Sequence, residues 1–117
     1  IPPNSESEPD IAILKNKDDD YLDYHPIAQD VLLLIEIADS YLKYDQEVKL
    51  PLYAEAGITD YWIFNLIENC LETHNQPFQY LQGKSGYRIK VIFLPNETVN
   101  LPCFSELALD LSNIFPS

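Results

Sequence analysis

The chain has little of several features that mark common protein classes. It contains no methionine, three glycines and two cysteines, and its 7 basic residues stand against 19 acidic ones. The longest apolar run, 31–35, falls far short of the roughly 20 residues that span a bilayer. The sequence therefore predicts no membrane-spanning helix.

The sparse cysteines and histidines argue against a zinc site. Cys70 and Cys103 are isolated, with no CxxC spacing, and His25 and His74 are distant from each other. A structural zinc site needs four suitable ligands, which this spacing does not favour. We expect both cysteines to be small buried apolar residues in a reducing, cytoplasmic compartment.

Basic residues are scarce and unevenly placed. Residues 1–60 carry a net charge of −10, and residues 61–117 a net charge of −2. An acidic surface repels polyphosphate, because nucleic-acid affinity comes largely from Lys and Arg. The charge has two interpretations: a solvated acidic surface, or carboxylates gathered to hold a divalent cation.

The chain length and its start favour one domain that is not complete. With 117 residues it can bury a modest core, and its hydrophobic fraction of 46% is that of a folding chain. Position 1 is isoleucine, no methionine follows, and a strand-like motif begins by residue 10. We therefore expect residues 1–117 to form a single domain that lacks its N-terminal part.

Apolar periodicity and turn residues predict a mixed α/β or α+β order of elements. A helix is expected within 39–56, ended by Gly57 and interrupted by Pro51. A second helix is expected over 104–111. Strands are expected at 10–14, 31–38, 60–66, 70–74, 78–81, 87–94 and 99–101, with loops at 15–30 and 75–77.

Glu36 is the most informative residue, because it interrupts a run of Val, Leu and Ile. A carboxylate there costs several kcal/mol unless it is paired, protonated or bound to metal. It could escape to solvent at the strand end or pair with Lys43 or Lys49. Alternatively, Asp10 ends another apolar strand, and two converging carboxylates with open positions suit Mg²⁺ or Mn²⁺.

Lys49 could complete such a site by stabilising negative charge on a phosphate. On a helix, Asp45, Lys49 and Tyr53 recur every four residues and share one face. A surface ion pair between Asp45 and Lys49 explains the same spacing, so helical spacing alone does not decide.

Several motifs in order and spacing resemble the Uma family of restriction endonuclease-like proteins, which belongs to the PD-(D/E)xK nuclease superfamily. The likeness is close over residues 9–66 and is limited to layout beyond them. The matching segments are Pro9-Asp10-Ile11-Ala12, Leu34-Ile35-Glu36-Ile37-Ala38-Asp39-Ser40, Tyr44-Asp45 with Lys49, and Tyr53-Ala54-Glu55-Ala56-Gly57-Ile58 with Tyr61-Trp62-Ile63.

The resemblance implies a restriction-endonuclease-like mixed central sheet flanked by helices, and a set of site residues. Asp10 and Glu36 would bind Mg²⁺ or Mn²⁺, with the Ile37 carbonyl as a third ligand. The superfamily lysine normally lies two residues after the second acid, where Ala38 stands, so Lys49 would replace it. Three further positions would support the site: Ser40, Asp45 and Tyr53.

Two functions remain open at this point. One is a metal-dependent endonuclease that hydrolyses DNA, in which Asp10, Glu36 and Lys49 are catalytic and a homodimer could supply the missing basic surface. The other is a non-catalytic relic of the fold or an interaction module, which the acidic charge and the absent N-terminal section favour. Tyr61 and Trp62 are expected in the core rather than as a platform for stacked bases.

Overall fold

The computed structural model describes residues 10–15, 28–39 and 42–115. Within these ranges the chain forms two sheets, one helical stretch and short 3-10 turns at Ala28–Asp30 and Leu111–Asn113. The strands are β1 (Ile11–Leu14), β2 (Val31–Ala38), β3 (Asp60–Asn65), β4 (Cys70–Gln79), β5 (Ser85–Phe93), β6 (Thr98–Leu101) and β7 (Phe104–Asp110).

The larger sheet has the strand order β1-β2-β3-β4-β5. β2 and β3 are parallel, and the other neighbours are antiparallel. A parallel pair needs a crossover connection, which the helical stretch between β2 and β3 provides. The mixed α+β architecture predicted from the sequence is therefore confirmed, and it is consistent with a restriction-endonuclease-like fold.

The helical stretch has three parts, α1 (Leu42–Tyr44), a π-helical turn (Asp45–Lys49) and α2 (Leu50–Glu55). Pro51 lies in the first turn of α2. Its ring has no N–H to donate and clashes with a preceding carbonyl in a regular α-helix, so the wider turn directly before it accommodates the proline. The predicted interruption by Pro51 thus corresponds to the change from π-helical to α-helical geometry directly before it.

The end of α2 is fixed by Gly57, as the sequence predicted. Gly57 has φ +86°, and its N–H donates to the Ala54 carbonyl at 3.0 Å. The Ile58 N–H donates to the Tyr53 carbonyl at 3.0 Å. These two bonds form a Schellman motif, in which a left-handed residue satisfies the last carbonyls of the helix.

The central strands of the larger sheet are buried on both faces, whereas β5 at its edge is largely exposed. Side chains alternate along each strand, so Leu34 and Ala38 face the helical stretch while Leu33 and Ile35 face the opposite side. The helix-facing core includes Tyr53, Ile58, Tyr61 and Ile63. The opposite core joins Trp62, Phe64 and Leu71 to residues that follow β5, among them Val99, Leu109 and Leu111.

The aromatic pair after the helix belongs to these cores, as expected. Tyr61 is fully buried and Trp62 is 3% exposed, on opposite faces of β3. Neither ring is available as a platform for stacked bases. The Tyr87 hydroxyl donates to the Ile58 carbonyl at 2.7 Å, which ties β5 to the segment after α2.

Two local predictions were wrong. Residues 104–111 form β7 and the start of a 3-10 turn, not a helix, and β7 pairs with β6 in an antiparallel hairpin. The apolar residues in this run fit a period of two as well as a helical period, and the cross-strand pairing decides between them. The predicted loop at 75–77 is part of β4, which accommodates a positive φ of 61° at Gln76.

The cysteines form no disulfide, and the predicted 15–30 loop is described only at its two ends. Cys70 is buried, Cys103 is half-buried, and both are free thiols. His25 lies outside the described residues, as does most of the predicted 15–30 loop. In the ranges that the structure describes, none of the helical segments has the length and apolarity to cross a membrane.

Candidate active site

Glu36 occupies the helix-facing side of β2, among apolar neighbours. Leu34, Glu36 and Ala38 are spaced two residues apart along β2, so their side chains lie on one face of the sheet. The register partner of Glu36 on β3 is Ile63. The side chain is 2% exposed. A carboxylate at this depth requires compensation, since desolvation of a charge costs several kcal/mol.

Two side chains from the helical stretch reach Glu36. Lys49 Nζ lies 3.1 Å from Glu36 Oε2, and the Tyr53 hydroxyl donates to the same oxygen over a longer 3.4 Å. The Lys49 side chain is 13% exposed, so this is a largely buried ion pair. Of the alternatives for Glu36, pairing with Lys49 is what the structure shows.

Asp10 lies beside the end of β2, immediately before β1. The pairing of Ile11 with Ile35 puts Asp10 across from Glu36 in register. Its Oδ2 accepts a 2.7 Å hydrogen bond from the Ile37 backbone N–H, and the side chain is exposed. The structure thus brings Asp10 to the residue that follows Glu36, with its carboxylate accessible from solvent.

The remaining predicted positions are only partly described. Ile37 lies in β2 with 49% of its surface exposed. Asp45 begins the π-helical turn, but its side chain lies outside the described structure, as does the whole of Ser40. Tyr53 is buried and contacts Glu36, so it is the one supporting residue that the structure places at the site.

Sequence reasoning missed another buried glutamate on the same face of the sheet, Glu72 on β4. Its register partner is Ile63, so it shares the helix-facing side with Glu36. The Gln46 amide donates to both of its oxygens, at 2.9 and 2.8 Å, and Asn65 Nδ2 donates to Oε2 at 3.1 Å. The local sequence offered little signal, because β4 contains several polar residues and Glu72 interrupts no apolar run.

The environment of Glu72 keeps it charged. Burial alone would raise the pKa of this carboxyl, but nearby His74 and the hydrogen bonds from Gln46 and Asn65 outweigh burial and lower it to about 2. His74 Nε2 lies 3.7 Å from Glu72 Oε1, beyond hydrogen-bond distance. Among the described residues that nitrogen has no hydrogen-bond partner.

The family model of Uma2, described as "putative restriction endonuclease", matches residues 1–112. The chain belongs to the Uma2 family. A search of curated proteins gave no significant match. Membership in Uma2 indicates a nuclease-like function, for which DNA is the expected class of substrate.

Restriction-endonuclease-like proteins typically use a divalent metal ion. The described residues contain no group of three or more His, Cys, Asp and Glu side chains arranged to hold an ion. Asp10 and Glu36 supply two carboxylates at adjoining strand ends. A strand residue directs its N–H and C=O to the same side, so the Ile37 carbonyl faces the Asp10 side as well. These hard oxygen donors fit Mg²⁺ or Mn²⁺, which complete their coordination with water.

Proposed function

We propose that this chain carries the active site of a metal-dependent deoxyribonuclease. In this proposal Asp10, Glu36 and the Ile37 carbonyl hold Mg²⁺ or Mn²⁺, and Lys49 stabilises negative charge on the scissile phosphodiester. The supporting observation is the buried contact of Lys49 Nζ with Glu36 Oε2 at 3.1 Å, with Asp10 bonded to the adjoining Ile37 amide.

The proposed roles follow from the contacts of each side chain. A bound divalent cation supplies positive charge that polarises the phosphate and acidifies an attacking water. Lys49 reaches Glu36 from the helix-facing side of the sheet, so its ammonium can turn from the carboxylate toward a phosphate oxygen nearby. Tyr53 donates to the same Glu36 oxygen and limits the orientations available to that carboxylate.

The two proposed carboxylate ligands differ in their exposure to solvent, which supports a site at the edge of the protein interior. Asp10 is exposed while Glu36 is 2% exposed, so the pair spans the boundary between solvent and protein interior. Electrostatic interactions strengthen as water is excluded, which favours both cation binding and charge stabilisation on that inner side. We propose Asp45 and Ser40 as supporting residues, as the family resemblance implies.

A cleavage assay with supercoiled and linear duplex DNA tests the proposal. We expect cleavage to require Mg²⁺ or Mn²⁺ and to stop on chelation. Asp10→Asn, Glu36→Gln and Lys49→Met should each reduce the rate by at least about 100-fold, as losses of charge stabilisation in active sites commonly do. Lys43→Met, an exposed lysine on the same helical stretch, is the matched control and should retain activity.

Calorimetric titration with Mn²⁺ provides a second readout that needs no turnover. Binding should weaken in Asp10→Asn and Glu36→Gln and persist in Lys49→Met, because the lysine is not a proposed ligand. Metal-dependent cleavage that is unaffected by all three site variants would overturn the residue assignment. Neither cleavage nor binding in folded protein would favour a non-catalytic relic of the fold. Sedimentation with and without DNA would show whether the protein is a homodimer.

A further inference from the structure

The π-helical turn that carries Lys49 makes a second contact with the sheet. Gln46 lies three residues before Lys49 in the same turn, and its amide Nε2 is within 2.9 Å of both Glu72 oxygens. Glu72 is 3% exposed and also accepts from Asn65. One short helical segment is therefore held at two points, by Glu36 through Lys49 and by Glu72 through Gln46.

The Lys49–Glu36 and Gln46–Glu72 contacts differ in whether they persist when Lys49 binds a phosphate. Under the proposed function, Lys49 must turn from Glu36 toward a phosphate, which removes the Lys49 contact between the turn and the sheet. The Gln46–Glu72 contact involves no proposed metal ligand and no group that approaches the substrate, so it can persist throughout. The π-helical turn is a single wide turn between two short α-helical segments, and the Gln46–Glu72 contact fixes it to the sheet.

We propose that Gln46 and Glu72 are positioning residues, which hold the Asp45–Lys49 turn so that the Lys49 ammonium stays within reach of the phosphate after it leaves Glu36. This inference rests on the proposed function for its kinetic consequences. Its structural part, the placement of Lys49 by the Gln46–Glu72 contact, can be tested without catalysis.

Isosteric exchanges test the contact. Glu72→Gln replaces one of the two acceptor oxygens by an NH2 group, Gln46→Glu opposes two carboxylates, and the double exchange Gln46→Glu/Glu72→Gln restores one donor and one acceptor in reversed positions. We expect each single variant to lower kcat by about 100-fold with KM nearly unchanged, as small misplacements of catalytic groups do. The double exchange should recover most of the loss. Glu47→Gln, an exposed neighbour in the same turn, is the control.

Lysine side-chain NMR gives a readout that mere destabilisation does not move. The Lys49 ammonium should be distinguishable in the native protein because it is largely buried and paired with Glu36. Under conditions in which each variant is fully folded, the Lys49 ammonium resonance should shift in both single variants. In the double exchange it should return to its position in the native protein. If either single variant fails to fold, Gln46→Ala, which removes the contact without adding a charge, replaces it.

The outcomes separate this inference from the proposed function. Absence of metal-dependent cleavage in the native protein would refute the nuclease, while the Lys49 resonance would still report whether Gln46 and Glu72 position it. Cleavage in the native protein with unchanged kcat and an unchanged Lys49 resonance in folded single variants would overturn the inference and leave the nuclease intact. Losses that the double exchange does not recover would also contradict the reciprocal contact.

Discussion

Glu36 and Glu72 both pair in register with Ile63, from opposite sides of β3, so these two buried glutamates lie in one row across the sheet. With neighbouring strands about 4.8 Å apart, their backbones are roughly 10 Å from each other. Each carboxylate is compensated by a different residue of the helical stretch, Lys49 for Glu36 and Gln46 for Glu72. Glu36 is thus paired with a charged ammonium group, and Glu72 with a neutral amide.

This difference in partner suits different roles. The Lys49 ammonium compensates the charge of Glu36, and a divalent cation could take over that compensation and release the lysine. Glu72 is held by amide donors of Gln46 and Asn65, which a solvated metal ion in an adjoining site would not replace. We therefore interpret Glu36 as the exchangeable carboxylate and Glu72 as the fixed one.

Removing the ammonium from Glu36 should destabilise the metal-free protein. Lys49→Met keeps the side-chain length but leaves the buried carboxylate without its cation, which we expect to cost roughly 3 kcal/mol of unfolding free energy. Urea unfolding can be followed by the fluorescence of Trp62, the single tryptophan, which is 3% exposed.

Two comparisons make that measurement specific. Lys43→Met removes an exposed lysine from the same stretch and should change the unfolding free energy by less than about 0.5 kcal/mol. Lys49→Met/Glu36→Gln removes both charges and should recover much of the loss. Equal stability of Lys49→Met and the native protein would show that the contact contributes nothing in solution.

Glu72 should make the protein sensitive to acid. Its pKa is about 2 in the folded protein, below the ordinary 4.5, so the unfolded chain binds the proton more readily as the pH falls. The contribution is present above pH 4.5 and is lost as the pH falls toward 2. At 1.36 kcal/mol for each pKa unit, it amounts to roughly 3 kcal/mol.

Unfolding free energies at several pH values between 7 and 2.5 would measure this contribution. Glu72→Gln should be less stable than the native protein at pH 7, and the difference should shrink steadily below pH 4.5. Glu106→Gln, at an exposed position on β7, is the matched control for the loss of one carboxylate. A constant difference between Glu72→Gln and the native protein at every pH would show that the Glu72 pKa is not lowered.

Much of the fold could be predicted because the relevant signals are local. The apolar run at 31–38 is long enough to require a strand covered on both faces, and Gly57 follows the periodic residues of a helix at the position of a left-handed cap. The interruption before Pro51 follows from a missing N–H. In each case the neighbouring residues alone determine the backbone, and the structure agrees.

The errors occur where pairing with a neighbouring strand, rather than the residues of the segment itself, decides the structure. The run at 104–111 satisfies two periods, and only its pairing with Thr98–Leu101 makes it a strand. Asn75 and Pro77 suggested a loop, but pairing with Ile89 and Tyr87 continues β4 through them. The pairing of β4 with β5 therefore outweighs the turn preference of Asn75 and Pro77.

The site was predicted unevenly for a similar reason. Glu36 could be found because a charge within a continuous apolar run is conspicuous. Glu72 is buried to a similar extent, but it lies between Leu71 and Thr73 in a strand that also contains His74 and Asn75, so nothing in the local sequence marks it as buried. Its partners Gln46 and Asn65 are 26 and 7 residues away in sequence, a relationship that only the folded sheet reveals.

Gly57 provides a test of how the end of α2 supports the site. Its φ of +86° disfavours any residue with a Cβ, yet a Cβ built at this position meets no atom within 4 Å. Gly57→Ala should therefore cost about 1 kcal/mol from backbone strain alone, without a steric clash. Gly57→Asn should cost less, because asparagine tolerates the left-handed region better than alanine.

The comparison of these two variants is more informative than either alone. Urea unfolding followed by Trp62 fluorescence should rank stability as native, then Gly57→Asn, then Gly57→Ala. If Gly57→Ala and Gly57→Asn had equal unfolding free energies, residue 57 would not adopt the left-handed conformation in solution. Because the same motif bonds Ile58 to the carbonyl of Tyr53, we also expect Gly57→Ala to loosen the Tyr53 hydroxyl from Glu36. A small loss of Mn²⁺ affinity in Gly57→Ala, greater than in Gly57→Asn, would connect the helix end to the proposed metal ligand.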